Sequence, residues 1–162
     1  MEKTLIIYYS LEGNIDFVAN ELASILNADK CRLETVKEYP KKGLVKYLHG
    51  GKDTLKGFKP ELKTAIPDFA PYSRIIVGAP VWASLPAAPI MSLFDKADFT
   101  GKKVSFFTSS MGGPGDKTLE TMKAAAEAKG AETIPGFAVV NPIKNQEKAK
   151  KAITDFVAGL KN

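Results

Sequence analysis

Cysteine occurs once in this chain, at Cys31, and histidine once, at His49. A single thiol excludes an intrachain disulfide and argues against a cysteine-based metal site. Cys31 is expected to be a buried strand residue, as unpaired cysteines usually are. His49 is expected at the surface rather than as a proton donor. Long apolar runs are also missing. None approaches the ~18 residues that span a bilayer, and the opening MEKTLIIYYS has too few apolar residues in a row for a signal peptide. The expectation is a cytoplasmic protein with no membrane association. A further absence is local: the stretch YYSLEGNIDFVANELA, Tyr8 to Ala23, joins an apolar run to a helical pattern without one lysine or arginine.

What is present fits one ordinary globular domain. The 162 residues are 44% apolar and 25% charged, enough for a sizeable core. The net charge of +5 is concentrated. Eight lysines lie between Lys37 and Lys63 against Glu38, Asp53 and Glu61, an excess that accounts for the whole net charge. A uniformly basic surface would suggest nucleic acid. One basic segment on a neutral body suggests instead a local docking surface or a solvated loop, and no nucleic-acid partner is expected.

Apolar periodicity alternates between strand and helix. The spacing predicts strands over Thr4–Tyr9, Lys30–Val36, Arg74–Ala79, Lys103–Thr108 and Thr133–Val140. The last is interrupted by Pro135-Gly136 and so belongs at an edge. Helices are expected from Ile15, with Asn14 as N-cap, and over Pro89–Lys96, Asp116–Lys129 and Gln146–Leu160. Residues 37–71 stretch one crossover into an insert, with a short helix at Leu44–His49. No linker divides residues 1–162, so a single domain is expected: a parallel α/β sheet covered on both faces.

In such sheets ligands sit at the carboxyl ends of the strands. After the first strand comes Ser10-Leu11-Glu12-Gly13-Asn14-Ile15, where Gly13 and the unpaired N–H groups of a helix start suit one phosphate. The loop lacks both the triphosphate and the dinucleotide glycine patterns. After the third strand, Pro80-Val81-Trp82-Ala83 sets the only tryptophan in a stiff loop where an indole is hard to bury and is placed to stack on a planar ligand. After the fourth, Thr108-Ser109-Ser110-Met111-Gly112-Gly113 offers a hydroxyl- and glycine-rich backbone.

Together these three loops resemble the phosphate loop and the two isoalloxazine loops of flavodoxin-like proteins, over essentially the whole chain. YPKKGLVKYLHGGKDTLKGFKPEL also resembles an insert of one branch of short flavodoxin-like proteins. The resemblance implies a three-layer α/β sandwich with a five-stranded parallel sheet of order 2-1-3-4-5 and FMN at its switch point. It implies phosphate contacts from Ser10, Glu12, Gly13, Asn14 and Ile15. It places Pro80, Val81, Trp82 and Ala83 on one border of the flavin ring, and Thr108, Ser109, Gly112 and Gly113 on the other. FMN is expected over FAD, and a bulky residue at Gly13 is expected to block binding sterically. The family loop usually ends in threonine. Ile15 cannot donate as threonine does, so that hydrogen bond is lost or taken by Ser10. Only Met111 is available to cover the second ring face. Flavodoxin-like carriers also turn a peptide of the third-strand loop on partial reduction, a turn that favours glycine; PVWASLP has none, and a non-glycine residue at φ > 0 costs about 1 to 2 kcal/mol. The one-electron-reduced flavin is therefore expected to be weakly stabilised.

Two functions fit. One is an electron carrier between redox proteins; the other is a small NAD(P)H-dependent FMN oxidoreductase reducing a quinone or similar acceptor. No side chain need act as a catalytic acid or base, because the redox chemistry belongs to the cofactor. A response-regulator receiver would need acidic residues after the first strand and a phosphorylatable aspartate after the third, where Ser10 and Ala79-Pro80 stand. A low-molecular-weight phosphatase would need Cys-x5-Arg in the first loop. The partner expected for the basic insert is an acidic redox protein or NAD(P)H, with Lys41 and Lys42 as candidate phosphate contacts. The protein itself is expected to be a monomer or weak homodimer.

Overall fold

A computed structural model describes residues 2–41 and 43–162. Strand β1 (Thr4–Tyr8) is buried along its whole length, as a continuous apolar run must be when helices cover both faces of a sheet. Helix α1 (Asn14–Leu26) follows, then β2 (Asp29–Arg32), the insert helix α2 (Gly43–Leu55) and β3 (Arg74–Trp82). A two-residue strand β4 (Leu85–Pro86) turns back on β3, and α3 (Ala88–Lys96), β5 (Lys103–Ser110) and α4 (Asp116–Glu127) come next. The chain closes with β6 (Glu132–Thr133), β7 (Phe137–Val140) and α5 (Gln146–Gly159).

The sheet runs β2-β1-β3-β5, with β6 and β7 both pairing parallel to β5 as two halves of one outer strand. This is the expected order 2-1-3-4-5, with the fifth strand broken where Pro135-Gly136 stands. The break is fixed by packing: a Cβ on Gly136 would fall 2.2 Å from the Phe106 carbonyl oxygen. Strand alternation divides the core. Leu5, Ile7, Ile75, Val77, Val104 and Phe106 share one cluster with Ile90 and Leu93 of α3 and Met122 of α4. Ile6, Tyr8, Ile76 and Phe107 share the other with Val18 and Leu22 of α1 and Ile153 and Val157 of α5.

Several local expectations are corrected. The second strand ends at Arg32 rather than Val36; beyond it Thr35 makes a single antiparallel bridge with Leu62. Cys31 lies on that outer strand and is half-buried instead of buried, because an edge strand has a neighbour on one side only. His49 is exposed, as expected. The third strand extends past Ala79 to Trp82, and the insert helix runs for 13 residues, well beyond His49. Asn14 is the first residue of α1, while the N-cap is Gly13 at φ 96°, ψ −10°. Lys42 lies outside the described residues. No described helix is long and apolar enough to cross a membrane.

Candidate functional site

The carboxyl ends of β1, β3 and β5 border a cleft of about 270 Å³. Ser10, Leu11, Glu12, Asn14 and Ile15 line it from the first loop, Pro80, Val81, Trp82 and Ala83 from the third strand, and Ser109, Ser110 and Met111 from the fifth. Lys46 and Gly51 of α2 complete its wall. A larger hollow of about 610 Å³ lies between α5 and the broken outer strand, and includes Arg74 and Lys103 at the amino ends of β3 and β5. Of these two, the first gathers polar groups around a helix start at the ligand-binding end of a parallel sheet.

The first loop is built around Ser10. Its side-chain oxygen accepts hydrogen bonds from the Gly13 N–H (3.2 Å) and the Asp16 N–H (3.3 Å). A hydroxyl has two acceptor positions and one proton to donate, so both acceptors are engaged and the proton is left to donate. The first N–H groups of α1, those of Asn14 and Ile15, have no carbonyl one turn earlier within the helix. Gly13 makes the geometry possible, since its left-handed backbone turns the chain sharply into the helix while its carbonyl receives the Phe17 N–H at 3.0 Å. Ile15 is buried in the α1/α5 core, and Ser10 is the hydroxyl residue of the loop. The Asn14 side-chain oxygen accepts the Ile143 N–H at 3.4 Å and ties this loop to the segment after β7.

Charge reaches the loop from outside its own sequence. Arg32, at the end of β2, donates to the Ser10 carbonyl at 2.9 Å and pairs with Asp16 at 3.3 Å. Lys46, from the insert, pairs with Glu12 at 3.1 Å. Neither was singled out from the sequence. Arg32 had a signal, because a parallel neighbour aligns it with Tyr8; Lys46 had none.

Trp82 is half-buried rather than stranded in a loop. Its ring meets Tyr39 edge-on at 4.9 Å between centroids and Tyr9 at 5.7 Å, with Gly50 of α2 against its face. Burial raises the Tyr9 hydroxyl to about 12. Burial also raises the Tyr39 hydroxyl, helped by its 2.7 Å hydrogen bond to Asp53. Both phenols are therefore neutral donors near neutral pH. Beyond Trp82, Ala83 and Ser84 both adopt positive φ, 49° and 65°, as a two-residue hairpin requires when Trp82 pairs with Leu85. The Ser84 carbonyl accepts the Thr118 hydroxyl at 3.1 Å. The absence of glycine does not keep this loop out of the left-handed region: the hairpin register imposes the conformation, and the cost of about 1 to 2 kcal/mol per residue is carried in the folded state.

In the third loop Ser109 lines the cleft, while Thr108 is fully buried and donates to the Ala79 carbonyl at 2.6 Å. It holds β5 to β3 and lies outside the lining. Gly112 and Gly113 are exposed, with open space around them, and also lie outside it. Met111 is a cleft residue with half its surface free.

The family profile described as Flavodoxin matches residues 3–157. Among solved structures, the chain is similar to a flavoprotein in complex with FMN from Lactobacillus acidophilus NCFM, with 24% identity and a TM-score of 0.72 over 91% of this chain and 98% of that one. It is also similar to oxidised Flavodoxin 2 from Bacillus cereus, at 18% identity and a TM-score of 0.62, covering 95% of this chain and 94% of the other. A flavodoxin from the domain Archaea aligns over 99% of both chains at 13% identity and a TM-score of 0.60. No curated protein matches. The sheet order, the helix-start loop at the switch point and the match along nearly the whole sequence agree, and the chain belongs to the flavodoxin family.

Proposed function

We propose that the chain binds FMN in this cleft and carries electrons between redox partners. The observation that carries the reading is the Ser10 hydroxyl, with both acceptor positions engaged and its proton left to donate, beside the open N–H groups of Asn14 and Ile15. That donor set suits a terminal phosphate, since backbone and hydroxyl donors at a helix start bind anions. Trp82, Val81 and Pro80 offer an apolar wall for a planar ring, and Ser109 and Ser110 offer polar atoms opposite it. Bound FMN supplies one- and two-electron chemistry, and the protein binds, orients and shields it.

A cleft of about 270 Å³, walled on one side by α2, falls at the small end of ligand sites and favours a single ring system over a stacked pair. This supports the carrier over the NAD(P)H-dependent oxidoreductase. The exposed Met111 is the one observation favouring the enzyme, because it leaves part of the cleft mouth accessible. The basic insert is the proposed docking surface for an acidic redox protein met by a monomer. Three of its lysines are already paired within the molecule, Lys46 with Glu12, Lys59 with Asp95 and Lys63 with Glu34, so among the described residues Lys37, Lys41, Lys52 and Lys56 are the charges left to steer encounter. The test is titration of the apoprotein with FMN and riboflavin, followed by reduction kinetics at rising ionic strength. FMN should bind at least about tenfold tighter than riboflavin, and transfer with an acidic redox protein should slow as salt screens the patch. Equal affinity for the two flavins would refute the phosphate loop. Repeated NADPH turnover with a quinone and no second protein would refute the carrier.

A further inference from the structure

We infer that Lys46 is the cationic ligand of the flavin phosphate and that Glu12 holds it in place; this rests on the reading that the cleft takes FMN. The side chain of Lys46 is only 16% exposed, whereas Lys59 and Lys63 of the same insert are 48% and 71% exposed. An ammonium loses hydration on such burial and needs compensation, which Glu12 gives at 3.1 Å. Both partners line the cleft beside Ser10 and Asn14. Alone, the Glu12 carboxylate would repel an anion arriving at the helix start. Pairing cancels that charge, and a lysine with three donors serves more than one acceptor.

The helix that carries Lys46 is built to hold it there. Lys46, Gly50 and Asp53 stand at i, i+4 and i+7, one face of a helix. Gly50 sits against Trp82, and Asp53 accepts the Tyr39 hydroxyl at 2.7 Å. The insert thus delivers to the first loop the positive charge that its own sequence lacks.

The experiment compares the wild type with Lys46→Gln, Lys46→Arg and the double variant Glu12→Gln/Lys46→Gln, using FMN and riboflavin as ligands. Thermal melts of each apoprotein confirm folding, and Lys46→Met replaces Lys46→Gln should the latter unfold. Lys46→Gln should bind FMN about 10- to 100-fold more weakly, as expected for loss of a charged hydrogen bond, with riboflavin affinity unchanged. Lys46→Arg should recover most of the FMN affinity, and the double variant should remain weak. The inference is overturned if Lys46→Gln keeps the wild-type FMN affinity, if both flavins weaken equally so that Lys46 is only part of the wall, or if the double variant regains full FMN binding so that Lys46 merely neutralises Glu12. In each of those cases a wild type that prefers FMN still upholds the FMN reading. A wild type indifferent to the phosphate overturns both.

Discussion

Replacing Gly13 by alanine separates backbone from space at the first loop. The residue sits at φ 96°, ψ −10°, and a Cβ built there meets only the Ile143 Cδ1 atom at 3.6 Å, an ordinary contact. Against the protein itself, then, a single methyl group has room at this position. The penalty comes from the left-handed backbone, which costs a non-glycine residue about 1 to 2 kcal/mol, a factor of about 5 to 30 in the folded-to-unfolded ratio. The variant can bear that cost in two ways. It can keep the conformation and lose stability, or relax the turn, break the Gly13 N–H to Ser10 bond and lose FMN affinity. The losses in urea denaturation and in FMN titration should together amount to about 1 to 2 kcal/mol, with the urea slope unchanged. Asparagine tolerates this region better, so Gly13→Asn should lose less than Gly13→Ala. An alanine variant equal to wild type in both assays would refute the reasoning, as would an asparagine variant more damaged than alanine.

Two further outcomes are expected. Valine at Gly50 would bring its Cβ to 3.0 to 3.2 Å from Trp82 ring atoms, so α2 should lift, the sole tryptophan's emission should shift to the red and FMN should bind more weakly; an unchanged emission spectrum would show that α2 does not press on the ring. The Tyr8 and Tyr9 hydroxyls are both raised from 10.0 to about 12, chiefly by burial. Between those values the unfolded chain has lost the protons that the folded chain retains, so stability is intact below pH 10 and falls as pH rises towards 12. Melting temperatures that stay flat over that interval would contradict the burial of these phenols.

The sheet was legible in the sequence because TLIIYY, RIIVGA and KVSFFT are apolar on both faces, and the Pro135-Gly136 interruption marked the edge strand. The first loop was legible as the entry to a helix from the Gly-Asn pair before an apolar periodic run. The insert was not. Two adjacent glycines, Gly50 and Gly51, each cost a helix about 1 kcal/mol, which points to a helix ending at His49. The observed α2 continues through them because a residue without Cβ is what allows the helix to lie on Trp82. The same packing places Lys46 in the cleft, and no local pattern encodes that placement. The conformation of Ala83 and Ser84 was not legible for a related reason: hairpin pairing between Trp82 and Leu85, a tertiary constraint, overrides the local preference against positive φ. Thr108 was read as a loop residue because its strand was expected to stop there; β5 continues to Ser110, which turns its hydroxyl into an interstrand tie.

The interrupted outer strand has a consequence for self-association. An exposed sheet margin is a template for another chain's backbone, and the danger grows with its length, flatness and apolarity. At one margin β2 is four residues long and carries Asp29, Lys30 and Arg32; at the other, Pro135 and the tightly seated Gly136 split the row into pieces of two and four residues. Neither margin offers a long apolar template. The segments best suited to cross-β stacking, in β1, β3 and β5, are interior strands, so cross-β stacking through them requires unfolding first.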